Sequence, residues 1–387
     1  MSHQDSYDRL GLGKGSGAPL PRLRIASPLL GTEEEEAVAA VLRSGILTNG
    51  PATAKFESTM AELHETEHGV AFANGTVALA AMYLAAGIGP GDEVIVPSLT
   101  FISTATSVLH VGATPVFADV QAETLNLDPD DVARRITPRT KAIVAVHYGG
   151  QAADLDRFRD LADHAGIALL EDAAQAHGAR FGDKPVGGWG DSSMFSFTPT
   201  KNVTTGEGSV VTTNDGDIAR KLRLLRNHGM DAPYHHAQLG WNWRLSDVLA
   251  AIGTCQLERL AGIITGKQQT ARALGERLDR IDGVTPPLEA AGRTHPFMLY
   301  TVRVAGGRRD QVSEALTAAG IENRIYFPAA HRQPVFRDRT ASDLPVTDRV
   351  TSEILSLPVH REVTPEDLDE MAAVIRAVLT SATMRSG

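Results

Sequence analysis

Short apolar runs alternate with amphipathic stretches along most of this chain. GVAFA is followed by TVALAAMYLAAG and DEVIVP by FISTATSVLHVG, and TPVFAD, KAIVAVHY, the polar-faced DLDRFRDLADHAG and IALLED continue the rhythm. That alternation predicts a mostly parallel β-sheet with helices on both faces. In such sheets ligands bind beyond the carboxyl ends of the strands. Asn74, Phe101, Asp172 and Ser196 all fall at or just after predicted strand ends.

Ahead of the sheet, TEEEEAVAAVLR predicts a helix with Thr32 as N-cap and Glu35 completing a capping box, and a second helix is expected over residues 52–65. The rhythm changes after residue 215. Helices are predicted over 217–227 and from 246 to about 280, the latter long enough to connect two lobes. FMLYTVRV then reads as a strand, DQVSEALTAAG as a helix, YFPAAHRQPVF as a Pro-rich loop and PEDLDEMAAVIRAVL as a closing helix. The division expected is a flexible arm over 1–24, a large domain over 25–265 and a smaller C-terminal α/β domain over 266–387.

Composition narrows the function. The 387 residues exceed one ordinary domain, and 42% apolar with 22% charged residues is the balance of a soluble globular protein. A net charge of −10 with no basic block argues against nucleic acid as a partner. Cys255 is the single cysteine, so no internal disulfide can form, and its apolar helical setting predicts a buried structural thiol. No signal-peptide pattern and no apolar run near the roughly 18 residues of a membrane span are visible. A cytoplasmic protein without a membrane partner is expected. His235 and His236 are adjacent rather than four apart on a helix, so no metal site is expected.

The candidate chemistry centres on FSFTPTKNVTTGEGS, residues 195–209. Phe195, Ser196 and Phe197 read as a strand end, and SVVTT as a returning strand. Lys201 lies between them in a Gly-rich loop, with a fixed base and a mobile tip suited to forming and breaking a Schiff base. Upstream, LLEDAAQAHGA delivers Asp172 into what should be the same pocket. A carboxylate below and a lysine above suit pyridoxal 5'-phosphate, whose ring nitrogen Asp172 would keep protonated. Gly75 and Thr76 sit at a strand-to-helix turn whose free N–H groups could cradle a phosphate, although an Asn-Gly-Thr turn alone is an ordinary helix entry. The Ser196 hydroxyl could bind the same phosphate. Phe101 could stack on a cofactor ring or simply fill the core. His177 is expected to hydrogen-bond from behind the site, and Glu207 to brace the lysine loop. Thr48, Asn49, Tyr326 and His331 are candidates for substrate contacts.

Read in order, SGILTNG, FANGTVAL, GPGDEVIVPSLTF, EDAAQAHGA, FSFTPTKNVTTGEG, GWNWRLSD and YFPAAHRQPVF resemble the sugar aminotransferase family called DegT/DnrJ/EryC1/StrS. The likeness runs from about Ile25 to the C-terminal region. It implies the pyridoxal phosphate (PLP) fold type I, with a mostly parallel seven-stranded sheet in the large domain. It also implies that Lys201 carries the cofactor and acts as general acid and base, and that Asp172 pairs with the ring nitrogen. Gly75, Thr76 and Ser196 would hold the phosphate, Phe101 would stack, and Gln175 would contact the ring or its phenolic oxygen. Asn242 matches a residue that reaches the phosphate of the neighbouring subunit, which implies a homodimer with composite active sites. Ser209 stands where the family commonly has a second glycine. The implied reaction moves an amino group from glutamate or glutamine to a keto sugar, nucleotide-linked for preference, or to a keto cyclitol. Its product would serve a cell-surface glycan or a secondary metabolite. Related sugar dehydratases carry histidine in place of Lys201, so the lysine favours transamination. A regulatory PLP-binding protein, or another PLP reaction on the same scaffold, is the alternative.

Overall fold

The computed structural model describes residues 21–337 and 343–380. Most of the expected N-terminal arm, residues 1–20, therefore lies outside the described residues. Helices α1 (Thr32–Ser44) and α2 (Pro51–Leu63) precede the sheet. There follow β1 (His68–Phe72), α3 (Gly75–Ala85), β2 (Glu93–Pro97), α4 (Ser103–His110), β3 (Thr114–Ala118) and α5 (Pro129–Arg135). Next come β4 (Thr140–Val146), α6 (Leu155–Ala165), β5 (Ala168–Asp172), β6 (Ser192–Ser196), β7 (Ser209–Thr213), α7 (Gly216–Arg226) and the long α8 (Asp247–Leu278).

The seven strands lie in the order β1-β7-β6-β5-β4-β2-β3. β7 runs antiparallel to both of its neighbours, while β6, β5, β4, β2 and β3 pair in parallel. Alternation along each strand feeds two cores. Ile143, Ala145 and Leu169 pack toward α2, α6 and α8, and Ala142, Val144 and Leu170 toward α3, α4 and α7. Covered on both faces, the central strands read as continuous apolar runs, which is why the sequence shows them as blocks rather than as alternating positions.

The smaller lobe is built on β8 (Tyr300–Val304) and β9 (Ile354–Leu357), with α9 (Arg309–Ala318), α10 (Pro345–Glu353) and α11 (Pro365–Thr380). Its core takes Leu274 and Leu278 from the end of α8, so that helix belongs to both lobes and passes position 265 without a break. Leu23, at the end of the expected arm, is buried in this same core and bridges Ile321. By length and average apolarity α8 could cross a membrane. Here α1 and α2 pack along it, and Leu257 and Leu260 are buried in the large core.

Helix starts are set by polar side chains. The first cap falls one residue earlier than Thr32. Gly31 is the N-cap of α1, and Glu34 rather than Glu35 reaches back to its N–H at 2.7 Å. Asp247, 1% exposed, accepts from Gly50 N–H at 2.9 Å, Ala52 N–H at 3.1 Å and the Thr53 hydroxyl at 2.7 Å, so the start of α8 caps the start of α2. Cys255 is half-buried rather than enclosed.

Gly253 in α8 is held by close approach. A Cβ there would lie 2.5 Å from Phe56 Cε2 and 2.8 Å from Thr205 Cγ2, in the lysine loop. Gly253→Ala should therefore destabilise by about 1–3 kcal/mol through overpacking, outweighing its gain in helix propensity. Gly262→Ala on the same helix meets nothing within 4 Å and should stabilise by up to about 1 kcal/mol. Urea midpoints of the two variants measure the contrast.

Candidate active site

β5 ends in two adjacent buried carboxylates that face opposite sides of the sheet. Glu171 accepts from the N–H groups of Gly187, Trp189 and Gly190 at 2.7–3.0 Å, from the Ser193 hydroxyl at 2.7 Å and from His147 Nε2 at 3.1 Å. Burial alone would raise its pKa, but these hydrogen bonds, that from His147 first, bring it from 4.5 down to about 2. Glu171 is a structural anchor, tying the 187–190 turn and β6 to β5.

Asp172 has fewer partners. Its Oδ2 accepts from the Thr104 hydroxyl at 2.7 Å and its Oδ1 from Ala174 N–H at 3.2 Å. Burial pushes its carboxyl above the ordinary range, against those bonds and the Lys201 charge. Because Thr104 spends its proton on Asp172, Thr100, 2.8 Å away, donates to Thr104. Thr100 and Thr104 thus form a short chain of hydroxyls leading to the carboxylate. Sequence reasoning missed both, since two threonines flanking an apolar FIS look like ordinary helix-entry residues.

Lys201 rides on the connection between β6 and β7. Phe197 donates its N–H to Gly208 O and accepts one from Thr205, both at 3.0 Å, which closes the hairpin base. The Thr204 hydroxyl donates to Phe197 O at 2.8 Å and accepts from Gly206 N–H at 2.9 Å, and Gly206 sits at φ +84°, where glycine is favoured. Thr204 and Thr205 brace the loop, a role the sequence reading assigned to Glu207. The Glu207 side chain instead lines the cavity and has no hydrogen-bond partner among the described residues. Enclosure lowers the Lys201 amine to about 8, opposed by the Asp172 charge.

These groups open into one cavity of about 730 Å³, which contains Gly75, Thr76, Phe101, Asp172, Gln175, Ser196, Lys201 and Tyr326 in its wall. Asn74 caps α3 by accepting from Val77 N–H, leaving the Gly75 and Thr76 N–H groups without a partner among the described residues. The Thr76 hydroxyl contacts that of Ser103 at 2.8 Å, which adds Ser103 to the same corner. Gln175 Oε1 accepts from Gly149 N–H at 2.6 Å, so its amide NH₂ is the end left for the cavity. Phe101 is 54% exposed and meets Phe327 edge-on, so it is a wall of the cavity and not a core aromatic.

Other candidates lie elsewhere. His331 is buried behind the wall, its Nδ1 2.6 Å from the Ser98 hydroxyl, and does not line the cavity. His177 is buried edge-on against Phe195 and Phe197, with neither ring nitrogen hydrogen-bonded, in place of the supporting hydrogen bond expected. Burial, reinforced by His64 and Lys201, holds it far below the usual imidazole range and hence neutral. Thr48, Asn49 and Asn242 are exposed and outside this chain's cavity, with Thr48 bridging Ser246 and Asn242 bridging Asn227. No group of three or more metal-ligating side chains occurs among the described residues.

The model of the DegT/DnrJ/EryC1/StrS aminotransferase family matches residues 28–376. Among curated relatives, the GDP-perosamine synthase of Caulobacter vibrioides is 40% identical, covering 93% of this chain and 99% of its own. The UDP-N-acetyl-3-dehydro-alpha-D-glucosamine 3-aminotransferase of Acidithiobacillus ferrooxidans is 39% identical, covering 95% and 99%. Among solved structures, that of DesI in the presence of its TDP-sugar product aligns with a TM-score of 0.89 at 34% identity, covering 98% of this chain and 99% of that one.

The two carboxylates should respond differently to change. A Glu171 pKa depressed from 4.5 to about 2 contributes roughly 3 kcal/mol of stability, present above pH 4.5 and lost as the pH falls toward 2. Glu171→Gln should cost about 3 kcal/mol at neutral pH and flatten that acid limb, as read by denaturant titration across pH. Thr104→Val should raise the Asp172 pKa further, weaken its charge and so move the Lys201 amine below about 8. The pH dependence of Lys201 acetylation, followed by mass spectrometry, checks the direction.

Proposed function

This chain belongs to the DegT/DnrJ/EryC1/StrS aminotransferase family, and we propose that it moves an amino group from glutamate or glutamine to a nucleotide-linked keto sugar with pyridoxal 5'-phosphate as cofactor. The observation that carries the reading is that Lys201 and Asp172 line one cavity and act on each other's charge. The names of the relatives supply the substrate class, since the GDP-, UDP- and TDP-linked sugars in them share a nucleotide handle and differ in the sugar.

The residues present fit the cofactor. Asp172 is a buried carboxylate with two hydrogen bonds and unused acceptor capacity, which calls for a cation on its cavity side. A protonated ring nitrogen is such a cation. Ser196, with the Gly75 and Thr76 N–H groups at the start of α3, forms a corner for the phosphate. Phe101 offers a ring face, and the Gln175 NH₂ a donor for a ring oxygen. When bound, pyridoxal phosphate supplies an aldehyde that takes up amines and a ring that withdraws electrons. Lys201 would hold the cofactor through Nζ and would carry a proton on the same atom. An amine near 8 is well placed for that work, because an appreciable fraction is uncharged near neutral pH. Asp172 would present its carboxylate to the ring nitrogen, oriented by Thr104.

A two-fold dimer completes the proposal. Thr48 and Asn242, away from their own cavity, share the surface around the start of α8 with exposed Leu42, Ile46 and Leu47, and the 230–240 segment adds exposed Tyr234 and Leu239. Apolar groups gathered in this way favour a partner subunit, whose active site Asn242 would then reach.

The decisive experiment is the absorbance spectrum of the purified protein with pyridoxal phosphate, before and after glutamate. A visible band that bleaches with the donor, and is missing in Lys201→Ala, is the expected result, and a protein that never takes up the cofactor would sink the reading. Cofactor capture should quicken about tenfold per pH unit and level off above about 8, because the uncharged amine attacks. Co-expressed Lys201→Ala and Asn242→Asp subunits should recover activity that neither variant has alone. Mass spectrometry of products from GDP-, UDP- and TDP-linked keto sugars then identifies the acceptor.

A further inference from the structure

We propose that a second cavity beside the Lys201 loop is a carboxylate site, built around Lys267, that receives the acidic end of the amino donor. This rests on the aminotransferase reading above for the identity of its occupant. The cavity, about 380 Å³, is bounded by residues 26–29, by the Arg259–Lys267 stretch of α8 and by the loop at His360 and Arg361. Lys201 is the residue it shares with the larger cavity, so the two spaces flank the residue whose amine would handle the donor.

The charge balance of this cavity is incomplete. Lys267 Nζ reaches Met298 O at 3.5 Å and has no carboxylate partner among the described residues. Burial lowers its amine to about 8, with no opposing charge. A partly buried ammonium without a counter-ion is costly, and a carboxylate would offset that cost with a charge-assisted hydrogen bond. The one carboxylate in the lining, Glu258, stands nine residues from Lys267 along α8 and exerts no charge on it, and the other neighbours are engaged. Arg259 binds Glu33 at 2.5 Å and Glu34 at 3.1 Å. His360 Nε2 lies 2.8 Å from Arg24 O, while its Nδ1 accepts from Glu362 N–H at 3.3 Å. Arg361 lies over the rim, more than half exposed. One partly buried uncompensated charge matches a carboxylate better than a diphosphate, which carries more.

Asn202 supplies a second, separate vacancy. It is 7% exposed and its Nδ2 donates to Pro296 O at 3.2 Å, yet its buried Oδ1 has no partner. Asn202 lines the same cavity. An amino-acid donor carries N–H groups as well as a carboxylate, and so can satisfy both Asn202 and Lys267.

Two measurements test the site. In cofactor-free protein, glutarate should slow acetylation of Lys267, read by mass spectrometry, while inorganic diphosphate should protect it less. In the cofactor-loaded enzyme, Lys267→Met should raise the KM for glutamate roughly 10- to 100-fold, the worth of a hydrogen bond to a charged group, and leave the acceptor KM unmoved. An apolar side chain replacing an uncompensated ammonium should not lower the thermal midpoint. The protection assay uses the wild-type chain and stands even if the variant misfolds. Lack of protection by glutarate, stronger protection by diphosphate, or an unchanged glutamate KM would each overturn the proposal. Protection without any amino transfer would overturn the aminotransferase reading and leave the carboxylate site standing.

Discussion

Two neighbouring acids at one strand end, kept in opposite electrostatic surroundings, are the constraint on which this structure turns. Glu171 is surrounded by donors on the α6 side of the sheet and stays charged far into acid. That charge fixes the turn at 187–190 and the register of β6 on β5. With β6 fixed, the lysine loop that follows it shares a cavity with Asp172, which faces the other side of the sheet from Glu171. Asp172 is left short of donors, and its need for a cation is the site's driving feature. Environments that push two like groups apart in pKa commonly separate structural from chemical duty.

The amine shows the same logic from the other side. Lys201 is enclosed enough to lose much of its preference for the charged form, yet Asp172 keeps it from losing all of it. The hydroxyl chain from Thr100 through Thr104 sets how much charge Asp172 presents, and thereby acts on the lysine without touching it. Asp172, Ser196, Gly75 and Thr76 sit at strand ends and helix starts and Lys201 on a braced hairpin loop, while Phe101, Tyr326 and Phe327 at the cavity wall belong to other loops. Relatives naming different nucleotides can therefore share one rigid reaction centre and differ in loops.

Much of this was legible in the sequence, because buried parallel strands and their carboxyl ends leave a local mark. Lys201, Asp172, Ser196 and Gly75 could be placed together from where apolar runs stop. What stayed hidden depends on contacts distant in the chain. Nothing near Glu171 announces that five donors from residues 147 to 193 converge on it. His331 resembled a site residue because its loop is polar and Pro-rich, yet it packs on Ser98 from 233 positions away. Glu207 and His177 failed for the same reason, as their neighbours are set by tertiary packing. The misplaced cap of α1 is a local error, in which Glu34, buried against α8, displaced the Glu35 that the Thr-x-x-Glu pattern favoured.

The placement of β1 has a bearing on how the chain is made. β1 is an apolar edge strand whose sheet neighbour is β7, with His68 opposite Thr213 and Phe72 opposite Ser209. Some 140 residues of chain separate the two. At a synthesis rate of about 5–20 residues per second, β1 would wait roughly 7–30 s on the ribosome before its partner emerged. An exposed apolar edge over that interval is a hazard for aggregation. The corner formed by Gly75 and Thr76 travels with β1, so the phosphate end of the pocket cannot close until the lysine hairpin has emerged to receive it.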